Sequence, residues 1–97
     1  MSKYAKHVYT DQAQIAALAS WVQQLPGEAR VQVTLDDGTR LLGTVAVQPT
    51  VQTFRDQADN EGANGLLRLD DLDNPVQQHL VWLDTIREVR SLPPVEG

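Results

Sequence analysis

The stretch Val31-Gln32-Val33-Thr34-Leu35-Asp36-Asp37-Gly38-Thr39-Arg40-Leu41-Leu42-Gly43-Thr44-Val45 decides the fold. Val31, Val33 and Leu35 alternate with Arg30, Gln32 and Thr34, the period-two pattern of a strand with one buried face. Asp36-Asp37-Gly38 then reads as a tight hairpin turn. Leu41, Gly43, Val45 and Val47 resume the inward alternation, against Arg40, Leu42 and Thr44. A glycine in mid-strand marks a bend or a close backbone approach, and Pro49 forces an edge, a bulge or a kink. Val51, Thr53 and Phe54 read as extended again. Arg40 to Phe54 is therefore expected to be one long strand, bent near Gly43 and broken near Pro49.

Upstream, the period is helical. Ile15, Leu18, Val22 and Leu25 recur at steps of three and four, with Trp21 beside them, which makes one apolar stripe. Asp11 with Gln14 resembles a capping box. Pro26-Gly27 ends the helix, because proline lacks the amide and glycine tolerates positive φ. Few charges lie on this helix, so its outer face is also open to a neighbour. Residues 1–10, with Tyr4, Val8 and Tyr9, read as an arm that is either packed on the domain or a partner, or only partly ordered.

Downstream, residues 55–64 are expected to be a polar, acidic loop, long for a hairpin connection. Leu66–Leu69, Leu80–Leu83 and Ile86–Leu92 read as short strands. A second acidic loop, 70–78, joins the first two, and Asp84-Thr85 is a minimal turn between the last two. The expected organisation is one domain over 1–97, with an arm (1–10), a helix (11–25), a β-sheet (30–92) and a tail (93–97). The fold class is α+β, mainly β: an N-terminal helix packed on a five-stranded, strongly bent antiparallel sheet or open barrel.

Composition bounds the function. With 97 residues the chain suits one domain. Hydrophobic residues at 41% and charged residues at 22% are ordinary for a globular protein. Having no cysteine, the chain can form neither disulfides nor thiolate zinc sites. The first residues carry no apolar signal-peptide core and no long apolar run follows, so a cytoplasmic location is expected. A net charge of −5 disfavours nucleic-acid partners, which are usually met by a basic footprint.

The order of elements resembles the Sm-like fold. Val31 to Val45 is similar to the first Sm motif, with its alternating strand, Asp-Gly turn and glycine in the second strand. Val81-Trp82-Leu83-Asp84-Thr85-Ile86-Arg87-Glu88-Val89 is similar to the second, two strands joined by a tight turn. The chain as a whole resembles a small family of uncharacterised bacterial proteins with a variant Sm-like fold. The departures are specific. RNA-binding Sm proteins use a polar residue with aromatic or asparagine partners in the loop after the second strand, where this chain has the longer 55–64 segment. They place Arg-Gly or Lys-His at the last tight turn, where this chain has Asp84-Thr85. No RNA-binding residue carries over, and the long segment argues against the strand pairing that builds Sm rings.

No constellation of chemistry stands out. His7 and His79 lie far apart, and metal sites need several convergent ligands. Ser2, Ser20 and Ser91 sit in no nucleophile elbow. Asp70, Asp71, Asp73 and Asn74 hint at a calcium loop, but its glycine and terminal glutamate are missing: the twelfth positions are Val81 and Trp82. Asp56, Asp59 and Glu61 are paired carboxylates on paper, and solubilising loop charges by the simpler reading. Arg55, Arg68, Arg87 and Arg90 would make a phosphate site only by converging on one face; cross-strand pairing with acids is the simpler expectation. Trp21 and Trp82 read as core or interface anchors expected to meet, or else as base-stacking platforms. The expectation is a non-enzymatic module without cofactor or metal. It is expected to self-associate, as a dimer rather than a ring, with a protein partner favoured over RNA and no membrane role.

Overall fold

The computed structural model describes residues 4–93. One helix, α1 (Gln12–Gln23), is followed by seven strands: β1 (Arg30–Leu35), β2 (Arg40–Val45), β3 (Gln52–Arg55), β4 (Glu61–Asn64), β5 (Leu66–Asp71), β6 (Gln78–Trp82) and β7 (Ile86–Ser91). A single 3-10 turn, Leu83–Thr85, joins β6 to β7. Five strands form an antiparallel sheet in the order β6-β5-β2-β1-β7, and β3 pairs with β4 as a separate ribbon. The sheet is open, ending on β6 and β7.

The opening stretch folds as its pattern dictates. β1 and β2 pair in register from Arg30↔Thr44 to Thr34↔Arg40. The hairpin closes through Gly38 at φ 90°, and the Thr39 amide donates to the Asp37 carboxylate at 2.9 Å. Gly43 is where backbones crowd. A Cβ there would lie 2.8 Å from the Asp70 carbonyl oxygen and 3.0 Å from the Leu69 Cβ, so only glycine lets β5 approach β2 this closely.

Two expectations need correction. Arg40 to Phe54 is not one strand. β2 ends at Val45, the chain bends at Ala46-Val47, and β3 starts a different sheet at Gln52. The bend turns Val47 outward to 64% exposure instead of inward. Pro49, with no amide to give to a ladder, sits buried in the connection. The 55–64 segment is also not all loop: only 56–60 connects, and Glu61–Asn64 returns as β4, so a two-stranded ribbon stands beside the expected five-stranded sheet.

The arm, over its described part, packs on this ribbon. The Ala5 amide donates to the Arg55 carbonyl at 2.9 Å. Tyr9 and Ala63 exchange both backbone hydrogen bonds, at 2.9 and 2.7 Å. Fully buried Asn64 reaches back, its Nδ2 donating to the His7 carbonyl and its Oδ1 accepting from the Gly65 amide, each at 2.8 Å. The expected tail falls mostly on residues 94–97, outside the described residues, as do 1–3 of the arm.

Asp11 caps α1 by accepting from the Gln14 amide at 3.2 Å. Leu18 and, just beyond the helix, Leu25 are the buried members of the stripe, while Ile15, Trp21 and Val22 are half-buried. These two leucines join Val31, Val33, Val45, Leu67, Leu69, Val81, Leu83 and Ile86 in one core. Its buried apolar area is the main favourable contribution to stability. α1 packs on β4 of the ribbon and on the 3-10 turn between β6 and β7.

Candidate functional site

Alternation along β5 and β6 sends Leu67, Leu69 and Val81 to the core and Leu66, Arg68 and Leu80 to the outside. Cross-strand register sets Arg68 directly opposite Leu80 and Leu66 opposite Trp82. The bend after β2 brings Val47 to the same surface. Val47, Gln48, Pro49, Thr50, Leu66, Arg68 and Leu80 line a shallow depression of about 340 Å³. Leu80 and Val47 are each 64% exposed and Leu66 40%. Three large apolar side chains around one guanidinium, beside a terminal strand, form an uncovered patch of the kind that marks contact surfaces. Asp70 stands two residues along the same face. Its Oδ1 is buried with no hydrogen-bond donor among the described residues.

A second concavity lies along α1. Tyr9 from the arm, Gln14, Ala17, Leu18 and Trp21 from α1, Asp84 from the 3-10 turn and Ile86 from β7 line a cleft of about 330 Å³. The Tyr9 hydroxyl donates to Asp84 Oδ2 at 2.9 Å. Burial, then the Asp84 hydrogen bond and the negative charges of Asp84 and Asp36, push the Tyr9 phenol up to about 12. No local sequence pattern signals this pairing, because the partners are 75 residues apart.

The residues singled out in the sequence mostly turn to local structure. His79 Nε2 donates to Asp71 Oδ1 at 2.9 Å. Asp71 Oδ2 accepts from the amides of Asp73 and Asn74 at 3.0 Å each, so this carboxylate organises the β5–β6 turn. The His79 contact and those amides hold Asp71 below its ordinary range. His7 lies on the arm, remote from this pair in sequence and exposed. Asp56 accepts from the amides of Ala58 and Asn60, each at 2.9 Å, and shapes the β3–β4 turn. Asp59 and Glu61 bind Arg55 at 2.8 and 2.9 Å. Among the described residues no three of His, Asp and Glu converge as a metal set. Ser20 accepts from Gln24 Nε2 at 3.5 Å, within its own helix.

The four arginines do not converge on one point. Arg55 is on the ribbon and paired across strands with Glu61, as cross-strand charges favour. Arg68 on β5 and Arg90 on β7 are three strand spacings apart, roughly 14 Å. Arg90 lies 3.9 Å from Glu88. The tryptophans also part company. Trp82 packs edge to face on Phe54, with centroids 5.2 Å apart and rings at 84°, whereas Trp21 lines the Tyr9–Asp84 cleft. Phe54 was the partner that the sequence pattern did not single out.

No helix among the described residues is long and apolar enough to cross a membrane. Comparison with curated proteins finds no match. The structure is similar to the crystal structure of XC5848 from Xanthomonas campestris, described as adopting a novel variant of the Sm-like motif. The TM-score is 0.90 at 53% sequence identity, covering 96% of this chain and 100% of that one. The chain thus has the variant Sm-like fold, built as a helix with an open five-stranded antiparallel sheet. The model of a domain of unknown function (DUF3247) matches residues 2–92, and the chain belongs to that bacterial family.

Proposed function

We propose that the protein is a non-enzymatic, cytoplasmic interaction module that self-associates through the outer face of the β5–β6 hairpin. The observation that carries this reading is the exposed trio Leu80, Leu66 and Val47 around Arg68, at a terminal strand. Covering these side chains removes apolar surface from water and gives the β6 edge a partner.

A dimer fits better than a ring. The β7 end of the sheet carries Arg87, Glu88 and Arg90, whereas the β6 end exposes Leu80 beside the neutral Gln78. A ring joins the two unlike ends, while a two-fold pairing sets like against like. RNA binding, the alternative drawn from the fold, has weaker support: the arginines are dispersed, Arg55 is neutralised by two carboxylates, and the last turn presents Asp84.

Light scattering on the size-exclusion peak at micromolar concentration tests the reading. A dimer mass is expected, and Leu80→Glu is expected to yield a folded monomer, since Leu80 is 64% exposed and its replacement leaves the core intact. A wild-type chain that stays strictly monomeric overturns the proposal. Salt-sensitive binding of single-stranded RNA would favour the alternative.

A further inference from the structure

The Tyr9–Asp84 cleft lies apart from the hairpin patch and has its own chemistry. Asp84 is half-buried, and its one side-chain hydrogen bond is the 2.9 Å contact from the Tyr9 hydroxyl to Oδ2. Oδ1 has no donor among the described residues and is not sealed from solvent. No described cation forms an ion pair with Asp84 or Asp36: the ion pairs among the described residues involve Arg55, His79 and Arg90 with other acids. Both carboxylates bear on the Tyr9 phenol, and neither is paired with a described cation. A carboxylate partly withdrawn from water without a counter-charge is an unsatisfied group, and a bound cation satisfies it.

The walls narrow the class of cation. Trp21 and Tyr9 contribute aromatic rings, Leu18, Ala17 and Ile86 an aliphatic floor, and Gln14 a neutral amide. A hydrated metal ion wants several oxygen ligands, and this cleft has one carboxylate on its lining. Aromatic faces attract organic cations, and aliphatic walls accept an alkyl stem. At about 330 Å³ the cleft is at the small end of ligand sites, which run roughly 300–1,000 Å³.

We propose that the Tyr9–Trp21–Asp84 cleft binds an organic cation: an alkylammonium or guanidinium head on a short aliphatic stem. The head bonds Asp84 Oδ1 and lies against the Trp21 and Tyr9 rings, and the stem covers Leu18 and Ile86. This site is independent of self-association.

The test is a titration of the full chain, followed by the indole N–H resonances in a two-dimensional NMR spectrum. The probes are n-butylguanidinium, n-butylammonium and, as the neutral control, n-butanol. Saturable movement of the Trp21 indole in the millimolar range is expected with the two cations and not with butanol. The Trp82 indole, which lies against Phe54 and does not line the cleft, serves as the internal comparison. Asp84→Asn keeps an acceptor for Tyr9 and is expected to weaken binding at least about tenfold, as for loss of a hydrogen bond to a charged group. Asp36→Asn, a change in an exposed turn, is expected to weaken it about twofold through the field alone. A capped Gly-Arg-Gly peptide separates the sources: tighter binding than butylguanidinium indicates a protein side chain, weaker binding a free small cation. Equal response to butanol, undiminished binding by folded Asp84→Asn, or no response to either cation overturns the proposal.

Discussion

The hydroxyl of Tyr9 donates to the carboxylate of Asp84 across 2.9 Å and so joins the N-terminal arm to the turn between the last two strands. A partly buried hydrogen bond to a charged acceptor contributes to stability, here discounted for its access to water. Tyr9→Phe is expected to cost about 1 kcal/mol, read from urea unfolding midpoints at constant slope. The same pair predicts a titration. The Tyr9 phenol, pushed up to about 12 from 10.0, favours the folded state while protonated. That contribution is complete below pH 10.0 and disappears as pH rises through about 12. Near-ultraviolet absorbance of wild type and Tyr9→Phe checks it: the late-titrating component is expected to vanish in the variant.

Asn64 binds the His7 carbonyl and the Gly65 amide from a fully buried position. Asn64→Ala removes both partners and strands two polar backbone groups, at a cost of about 2–4 kcal/mol. The loss is expected to be local as well as global. Hydrogen exchange at the Tyr9 and Ala63 amides, which bond to each other's carbonyls, should accelerate more than exchange in β1. Equal acceleration everywhere would mean that Asn64 does not specifically hold the arm.

Asp71 predicts the acid limb of stability. Its carboxylate is depressed first by the His79 hydrogen bond and then by the Asn74 amide. A depressed acid stabilises the fold above its unfolded value of 3.8, and the contribution is lost as pH falls through the lower folded value. Stability should therefore drop below pH 3.8, and Asp71→Asn should flatten that part of the curve. Denaturant midpoints taken across the acid range decide it; an unchanged slope in the variant refutes the assignment.

Gly43→Ala places a methyl 2.8 Å from the Asp70 carbonyl oxygen, a backbone atom that moves only with β5. A loss of about 1–3 kcal/mol is expected, the usual cost of overpacking, with weakened β2–β5 pairing. Thermal unfolding gives the size, and amide exchange at Thr44 and Asp70, which face each other across β2 and β5, gives the location.

Local pattern determined a good part of this protein. The helix, the β1–β2 hairpin and the last three strands follow from periods of three to four and of two, from the Asp-Asp-Gly turn and from Pro26-Gly27, because burial on one face imposes those spacings. Gly43 was legible as a tight spot for a related reason, since a glycine inside an apolar strand points to close backbone approach. Other features depended on residues distant in sequence. Val51 to Phe54 is extended by propensity, but its pairing partner, Glu61-Gly62-Ala63-Asn64, has no strand composition; that short segment is held by β3 on one side and by Tyr9 on the other. Trp82 met Phe54 rather than Trp21 because the ribbon, once split from β2, brings Phe54 to it. The cleft and the hairpin patch likewise exist only in the folded chain. Tyr9, Trp21 and Asp84 carry no mutual signal along the sequence, and Val47 becomes exposed only because the chain bends before it. Sequence by itself determined which short elements form, since those depend on neighbours along the chain. Tertiary structure decided which of them meet, since contact between remote segments is set by the packing of the whole core.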